Sequence, residues 1–124
     1  MSTEGIENFK KQRNYLNDIV MKYAQTNMKR FYALDSKVYF DGALSRKTKE
    51  MMGLVASLAL RCDDCVEYHI IRCHEENVTD SEIEEALSIA LIVGGSITIP
   101  HLRRAFKIWD ELKEKKMQGD VQDG

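Results

Sequence analysis

Helix breakers are almost absent from this chain of 124 residues. Pro100 is its one proline, and neither Gly nor Pro occurs between Ile6 and Asp41. Proline removes a backbone donor and clashes with the preceding turn, and glycine loses the most conformational freedom on folding. A chain that avoids both over long stretches can propagate helices. The glycines sit mostly at ends and junctions, at Gly5, Gly42, Gly94, Gly95, Gly119 and Gly124, with Gly53 the exception. Apolar residues recur at spacings of three and four, and no alternating strand pattern or internal repeat interrupts them. The expectation is an all-α bundle of about six helices.

The periodicity places a first helix over roughly residues 5–24, with Leu16, Ile19, Val20 and Tyr23 on one face. A second runs from about Thr26 to Tyr39 and carries Met28, Phe31, Tyr32 and Leu34. Asp41-Gly42 reads as a turn. A third helix starts near Ser45, a good N-cap residue, and runs to about Leu60. A fourth covers about 62–76, closed by Asn77, which tolerates the left-handed conformation. Thr79-Asp80-Ser81-Glu82 has the capping-box pattern, with Val78 and Ile83 placed as a hydrophobic staple. The fifth helix then buries Ile83, Ala86, Leu87, Ala90 and Leu91 and stops at Gly94-Gly95. The last begins near residues 96–100, because proline is tolerated in a first turn, and presents Leu102, Ala105, Phe106, Trp109 and Leu112. One domain is expected over residues 1–116, followed by a frayed polar tail over 117–124.

The formal net charge is −2, and acidic and basic residues alternate. No basic stripe points to nucleic acid. The polar stretch Met1–Lys11 contains no secretory core. No apolar run reaches the roughly 18 residues of a membrane span; the longest, Met51–Leu60, is broken by Gly53 and Ser57. A soluble, cytoplasmic protein is expected.

Chemistry concentrates in a short stretch. Cys62, Cys65 and Cys73 are the chain's three cysteines. An odd, clustered set does not make the framework of a secreted domain and in a reducing compartment points to redox, catalytic or metal roles. On a helix Cys62, Cys65, His69 and Cys73 share one stripe. Four ligands spread along about 16 Å of helix cannot converge on one zinc with bonds of about 2.0–2.3 Å. A three-ligand site from Cys62, Cys65 and His69 stays open if another element supplies the fourth. The competing reading is a redox pair. Cysteines three apart at a helix start fall within the roughly 4.4–6.8 Å Cα separation of a disulfide. The positive end of the helix favours a thiolate. His69, with a reference pKa of about 6.5, lies one turn beyond Cys65 as a proton acceptor. Asp63 and Asp64 oppose the thiolate. Cys73 reads as a small buried apolar thiol. His74 lies off the stripe and reads as solvated, and His101 carries no assigned role.

Glu50 stands twelve residues before Cys62. By itself it reads as a surface carboxylate in a charged first turn, or as a carboxylate drawn into apolar surroundings. The whole constellation is Asp41-Gly42-Ala43-Leu44-Ser45, Lys49-Glu50, Cys62-x-x-Cys65-x-x-x-His69, Thr79-Asp80-Ser81-Glu82-Ile83 and Val93-Gly94-Gly95-Ser96. It resembles the AhpD-like branch of the carboxymuconolactone decarboxylase family over about residues 41–106. The resemblance implies a helical hairpin carrying the Cys62/Cys65 motif, and assembly as homotrimers or homohexamers. It implies alkylhydroperoxidase or disulfide-reductase chemistry. Cys65 matches the peroxide-attacking thiol and Cys62 its partner, and His69 and Glu50 match a proton relay. Hydroperoxide or a disulfide would be the substrate, and an external lipoyl or thioredoxin-like dithiol the reductant. No metal or organic cofactor would be required. The sequence departs from the branch at Asp64, where a second histidine is usual, at Asn77, usually Gly, and at Cys73, commonly Ala. Two further functions compatible with the pattern are decarboxylation of a lactone acid, which does not call for paired cysteines, and a non-enzymatic redox-sensing helical oligomer.

Overall fold

The structure, a computed structural model, describes residues 4–123, with side chains over 5–117. Among these residues it contains helices and no strand. The α-helices are α1 (Glu4–Tyr23), α2 (Thr26–Val38), α3 (Arg46–Ala59), α4 (Asp63–Glu75), α5 (Asp80–Gly94) and α6 (Ile99–Asp123), with a 3-10 turn at Ser96–Thr98 before α6. The all-α expectation holds, and the helix starts fall close to the predicted caps.

The chain divides into two compact units, Met1–Phe40 and Asp41–Gly124. The boundary falls at the Asp41-Gly42 turn, the first breaker after a long helical stretch. The first unit holds α1 and α2. None of the residues of α2 is buried.

In the second unit α3 packs on α4 and α5, and α4 packs on α6. Leu54 and Leu58 of α3, Val66 and Ile70 of α4, and Ile83 and Leu87 of α5 are almost wholly buried. Each fully buried aliphatic side chain of this kind contributes about 1.5–3 kcal/mol of transfer free energy. Ser45 caps α3 by accepting from the Thr48 N–H at 3.1 Å, and the Asp41 carboxylate accepts from the Arg46 N–H at 2.7 Å. The capping box of α5 is formed in both directions: Thr79 Oγ1 accepts from the Glu82 N–H at 3.1 Å and Glu82 Oε1 from the Thr79 N–H at 2.9 Å.

The fifth helix stops at Gly94-Gly95 as expected: Gly94 is its last residue, and Gly95 takes the positive φ of 82° that ends it. A Cβ on Gly94 would come to 2.5 Å from Thr98 Cγ2 and 3.4 Å from Ala59 Cα, so this glycine serves the close approach of α5 to the end of α3. The backbone of α6 stays helical to Asp123, past Met117 where a polar tail is expected. Gly119 is the only breaker there, and a single glycine costs a helix about 1 kcal/mol. The side chains of 118–124 lie outside the described residues.

Candidate active site

The α3–α4 hairpin is made by a six-residue closure. Leu60 caps α3, Arg61 adopts a positive φ of 62°, the Arg61 N–H donates to Leu58 O at 2.9 Å, and the Cys62 N–H donates to Ser57 O at 3.0 Å. This is the Schellman pattern, with arginine in the left-handed position usually taken by glycine. Cys62 then opens α4. It has extended backbone, and its Sγ accepts from the Cys65 N–H at 3.3 Å. One residue therefore closes α3 through its N–H and caps α4 through its sulfur. That double duty fixes where the sulfur lies.

Cys62 and Cys65 form a disulfide, with Cα atoms 5.3 Å apart. Cys65 is exposed and Cys62 half-buried. The helical spacing that suggests a redox pair thus brings the sulfurs together. In the bonded state neither sulfur is available as a zinc thiolate, so the three-ligand reading has no place in this arrangement.

One turn further along α4, His69 is buried, and its Nδ1 lies 2.9 Å from Glu50 Oε1. A carboxylate only accepts, so Nδ1 carries the hydrogen, which in the neutral ring makes Nε2 the proton acceptor. Glu50 is fully buried. Its Oε2 lies 3.6 Å from Arg72 Nε and 3.8 Å from Arg46 Nε, so two guanidinium groups offset the burial of its charge. The reading of Glu50 as a surface glutamate gives way to a buried, paired carboxylate. His69 and Cys65, four residues apart on α4, share a face, and side chains on a helix lean toward its N-terminus.

Cys73 is fully buried. Burial, and secondarily the charges of Glu50 and Glu76, push its thiol up to about 12. It is an inert apolar thiol at neutral pH, in line with its reading as a small buried thiol. Glu67, two residues beyond Cys65, has its carboxyl raised above the usual range by partial burial and then by Asp64 and Glu111.

Sequence reasoning missed a second carboxylate–imidazole pair. His101 Nδ1, in the first turn of α6, lies 2.7 Å from Asp63 Oδ1, and Arg104 Nη1 donates to Asp63 Oδ2 at 3.2 Å. Asp63 is the residue after Cys62. The only available signal was His101 and Arg104 at a spacing of three on one helix face, which names no partner 38 residues away. His74, expected to be solvated, is half-buried, with its ring edge-on to Trp109 at 5.8 Å between centroids. Asp64 is exposed.

The carboxymuconolactone decarboxylase family profile matches residues 25–108. The chain belongs to the carboxymuconolactone decarboxylase family. A family member from Thermotoga maritima, with a suggested involvement in an antioxidative response, is 55% identical, superposes with a TM-score of 0.87, and is matched over 90% of this chain and 95% of that one. The apo form of a family member from Legionella pneumophila is 25% identical with a TM-score of 0.74, over 90% of this chain and 96% of that one. Uncharacterized protein 4 in the cox locus of Paracoccus denitrificans is 29% identical over 82 residues, 66% of this chain and 74% of that protein. As a carboxymuconolactone decarboxylase family chain, this protein carries its Cys62–Cys65 pair at the helical hairpin, and none of its described helices is long and apolar enough to cross a membrane.

Proposed function

We propose that this protein is a thiol-dependent oxidoreductase of the AhpD-like branch, reducing hydroperoxides through a Cys62–Cys65 dithiol/disulfide cycle. The observation that carries the reading is the pairing of a disulfide whose Cys65 is an exposed residue with a buried imidazole–carboxylate pair one helical turn away. The suggested antioxidative involvement of the Thermotoga maritima relative is in keeping with it.

The cycle follows from the roles the residues can take. His69 Nε2 takes the proton of the reduced Cys65 thiol, while Glu50 holds the opposite ring nitrogen and steadies the imidazolium that forms. The Cys65 thiolate attacks the terminal oxygen of the hydroperoxide. The O–O bond breaks, an alcohol leaves with the proton, and Cys65 becomes a sulfenic acid. The Cys62 thiol then attacks that sulfur, expelling water and closing the disulfide. An external dithiol returns two electrons by exchange. A lipoyl group or a thioredoxin-like protein has the required chemistry, and the same exchange step would serve disulfide reduction. No metal or organic cofactor takes part. The working unit is proposed to be a homo-oligomer.

The test is hydroperoxide consumption with dithiol reductant. Cys65→Ser is expected to fall to background. His69→Ala is expected to lose about a hundredfold or more, the usual contribution of a positioned proton-transfer group. Equal rates for wild type and both variants would remove the reading.

A further inference from the structure

The Asp63–His101–Arg104 cluster lies outside the proton relay, and its position beside Cys62 gives it a task in the other half of the cycle. This step rests on the dithiol/disulfide reading above. When a dithiol thiolate attacks the sulfur of Cys65, the more exposed residue of the pair, the Cys62–Cys65 bond breaks, a mixed disulfide forms on Cys65, and Cys62 leaves as a thiolate. The second thiol of the reductant, once deprotonated, attacks its own bound sulfur, closes the reductant's disulfide and releases Cys65. The rate of the first exchange rises as the departing thiol becomes more acidic.

Several features of the site act on that departing sulfur. The Cys65 N–H, 3.3 Å from Cys62 Sγ, and the positive end of α4 stabilise negative charge on it. Asp63, the next residue, opposes it with a full negative charge. A free Asp63 carboxylate could also accept from the first-turn N–H groups, which lack intrahelical partners, in competition with the sulfur. In the structure the carboxylate is engaged by α6: Oδ1 by His101 Nδ1–H at 2.7 Å, and Oδ2 by Arg104 Nη1 at 3.2 Å. The charged groups around this corner include Arg61 in the turn, Asp63, Asp64 and Glu67 on α4, and His101 and Arg104 from α6, with Lys107 and Glu111 of α6 acting on Glu67.

We infer that His101 and Arg104 are positioning residues for the reductive half-reaction. By holding the Asp63 carboxylate against α6, they keep its charge and its hydrogen-bonding capacity away from Cys62, so that Cys62 is the sulfur released when a dithiol attacks Cys65. The two carboxylate–imidazole pairs thereby divide the cycle: Glu50–His69 serves the attacking thiol, and Asp63–His101 serves the leaving one.

The test measures Cys62 by itself. In a Cys65→Ser/Cys73→Ala background Cys62 is the one thiol left, and the pH dependence of its alkylation rate reports its thiolate. His101→Gln and Arg104→Gln are each expected to move that profile to higher pH, lowering the thiolate fraction at neutral pH about three- to tenfold. In the protein with all three cysteines, the same substitutions are expected to slow reduction of the disulfide by dithiothreitol by a similar factor. Adding Asp63→Asn should erase both effects, because the charge being held is then gone. Unchanged alkylation profiles in His101→Gln and Arg104→Gln, or a shift that persists with Asp63→Asn, would overturn the inference. Arg104 is a largely exposed side chain, so its variant is informative even where His101→Gln loosens the fold. The peroxidase reading fails separately, if wild-type protein consumes no hydroperoxide while its Cys62 titration behaves as described.

Discussion

At the scale of single residues, the three cysteines differ in what surrounds them rather than in kind. Cys65 is exposed at the start of α4, whereas Cys73, two helical turns deeper, is sealed and its thiol is pushed up to about 12. An unfolded thiol titrates near 8.5. Folding therefore favours the protonated form of Cys73. Its contribution is intact below that ordinary value and is lost as pH rises from about 8.5 toward about 12. Two outcomes are expected. In the reduced native protein iodoacetamide at about pH 8 labels Cys62 and Cys65 while Cys73 waits for unfolding. Cys73→Ala keeps peroxide consumption, costs about 1 kcal/mol of stability, and flattens the alkaline decline measured by thermal melts. Labelling of native Cys73 as fast as Cys65 would contradict this account. The contrast also shows what a sequence exposes at this scale. Cys62, Cys65, His69 and Cys73 are legible because helical phase alone aligns them. Glu50 is legible only through its spacing to Cys62: Arg46 lies one turn before it on α3, but nothing local predicts that its carboxylate would be buried or that Arg72 of α4 would border it. The Asp63–His101 pair is illegible, because it is made by two helices meeting and neither helix encodes the other's register.

At the scale of elements, caps decide where the chemistry sits. Both ends of the α4 segment use the same closure. Asn77 takes a positive φ of 62° after α4, with its N–H on His74 O at 3.1 Å and the Val78 N–H on Cys73 O at 3.1 Å, repeating the Arg61 arrangement after α3. The Asn77 closure could be read from sequence because asparagine favours this conformation. The Arg61 closure could not, because a non-glycine there costs about 1–2 kcal/mol and is held by the packing around it. The start of α5 shows how a cap becomes a tertiary tie. Asp80, in the first turn, accepts from Lys113 Nζ at 2.9 Å and from Trp109 Nε1 at 2.8 Å, joining α5 to α6. The Lys113 and Trp109 hydrogen bonds hold its carboxyl below the usual range. A lowered carboxyl gives stability that is present above the ordinary aspartate value, near 3.9, and lost as pH falls through the folded one. Asp80→Asn is accordingly expected to lower the melting temperature at neutral pH, with the difference from wild type shrinking as pH falls below the ordinary aspartate value. A constant difference between the two melting curves across that range would show that the tie is steric rather than ionic.

At the scale of the whole molecule, each of the two units carries apolar surface that its own packing does not cover. In the first unit, α2 buries nothing, yet Phe31 is 68% and Leu34 59% exposed, with Met28 and Val38 continuing the same three-and-four spacing. Amphipathic spacing without burial is the signature of a helix whose apolar stripe faces something outside its own unit. The second unit has its own apolar surface. Met51, Met52, Val55, Ile89 and Val93 border a groove of about 430 Å³ between α3 and α5. Exposure on this scale is more than scattered surface residues account for. Homo-oligomer formation covers such surfaces by symmetry, and stable interfaces of this type bury about 1,200–2,000 Å². Light scattering on the purified chain at micromolar concentration is therefore expected to give a mass several times that of one chain. The charged double substitution Phe31→Glu/Leu34→Glu, placed where neither side chain supports the core, should lower that mass while helical circular dichroism is retained. A chain that remains monomeric before any substitution, or a double variant with undiminished mass, would place the α2 stripe outside the assembly and leave its exposed aromatic residues without an oligomeric role.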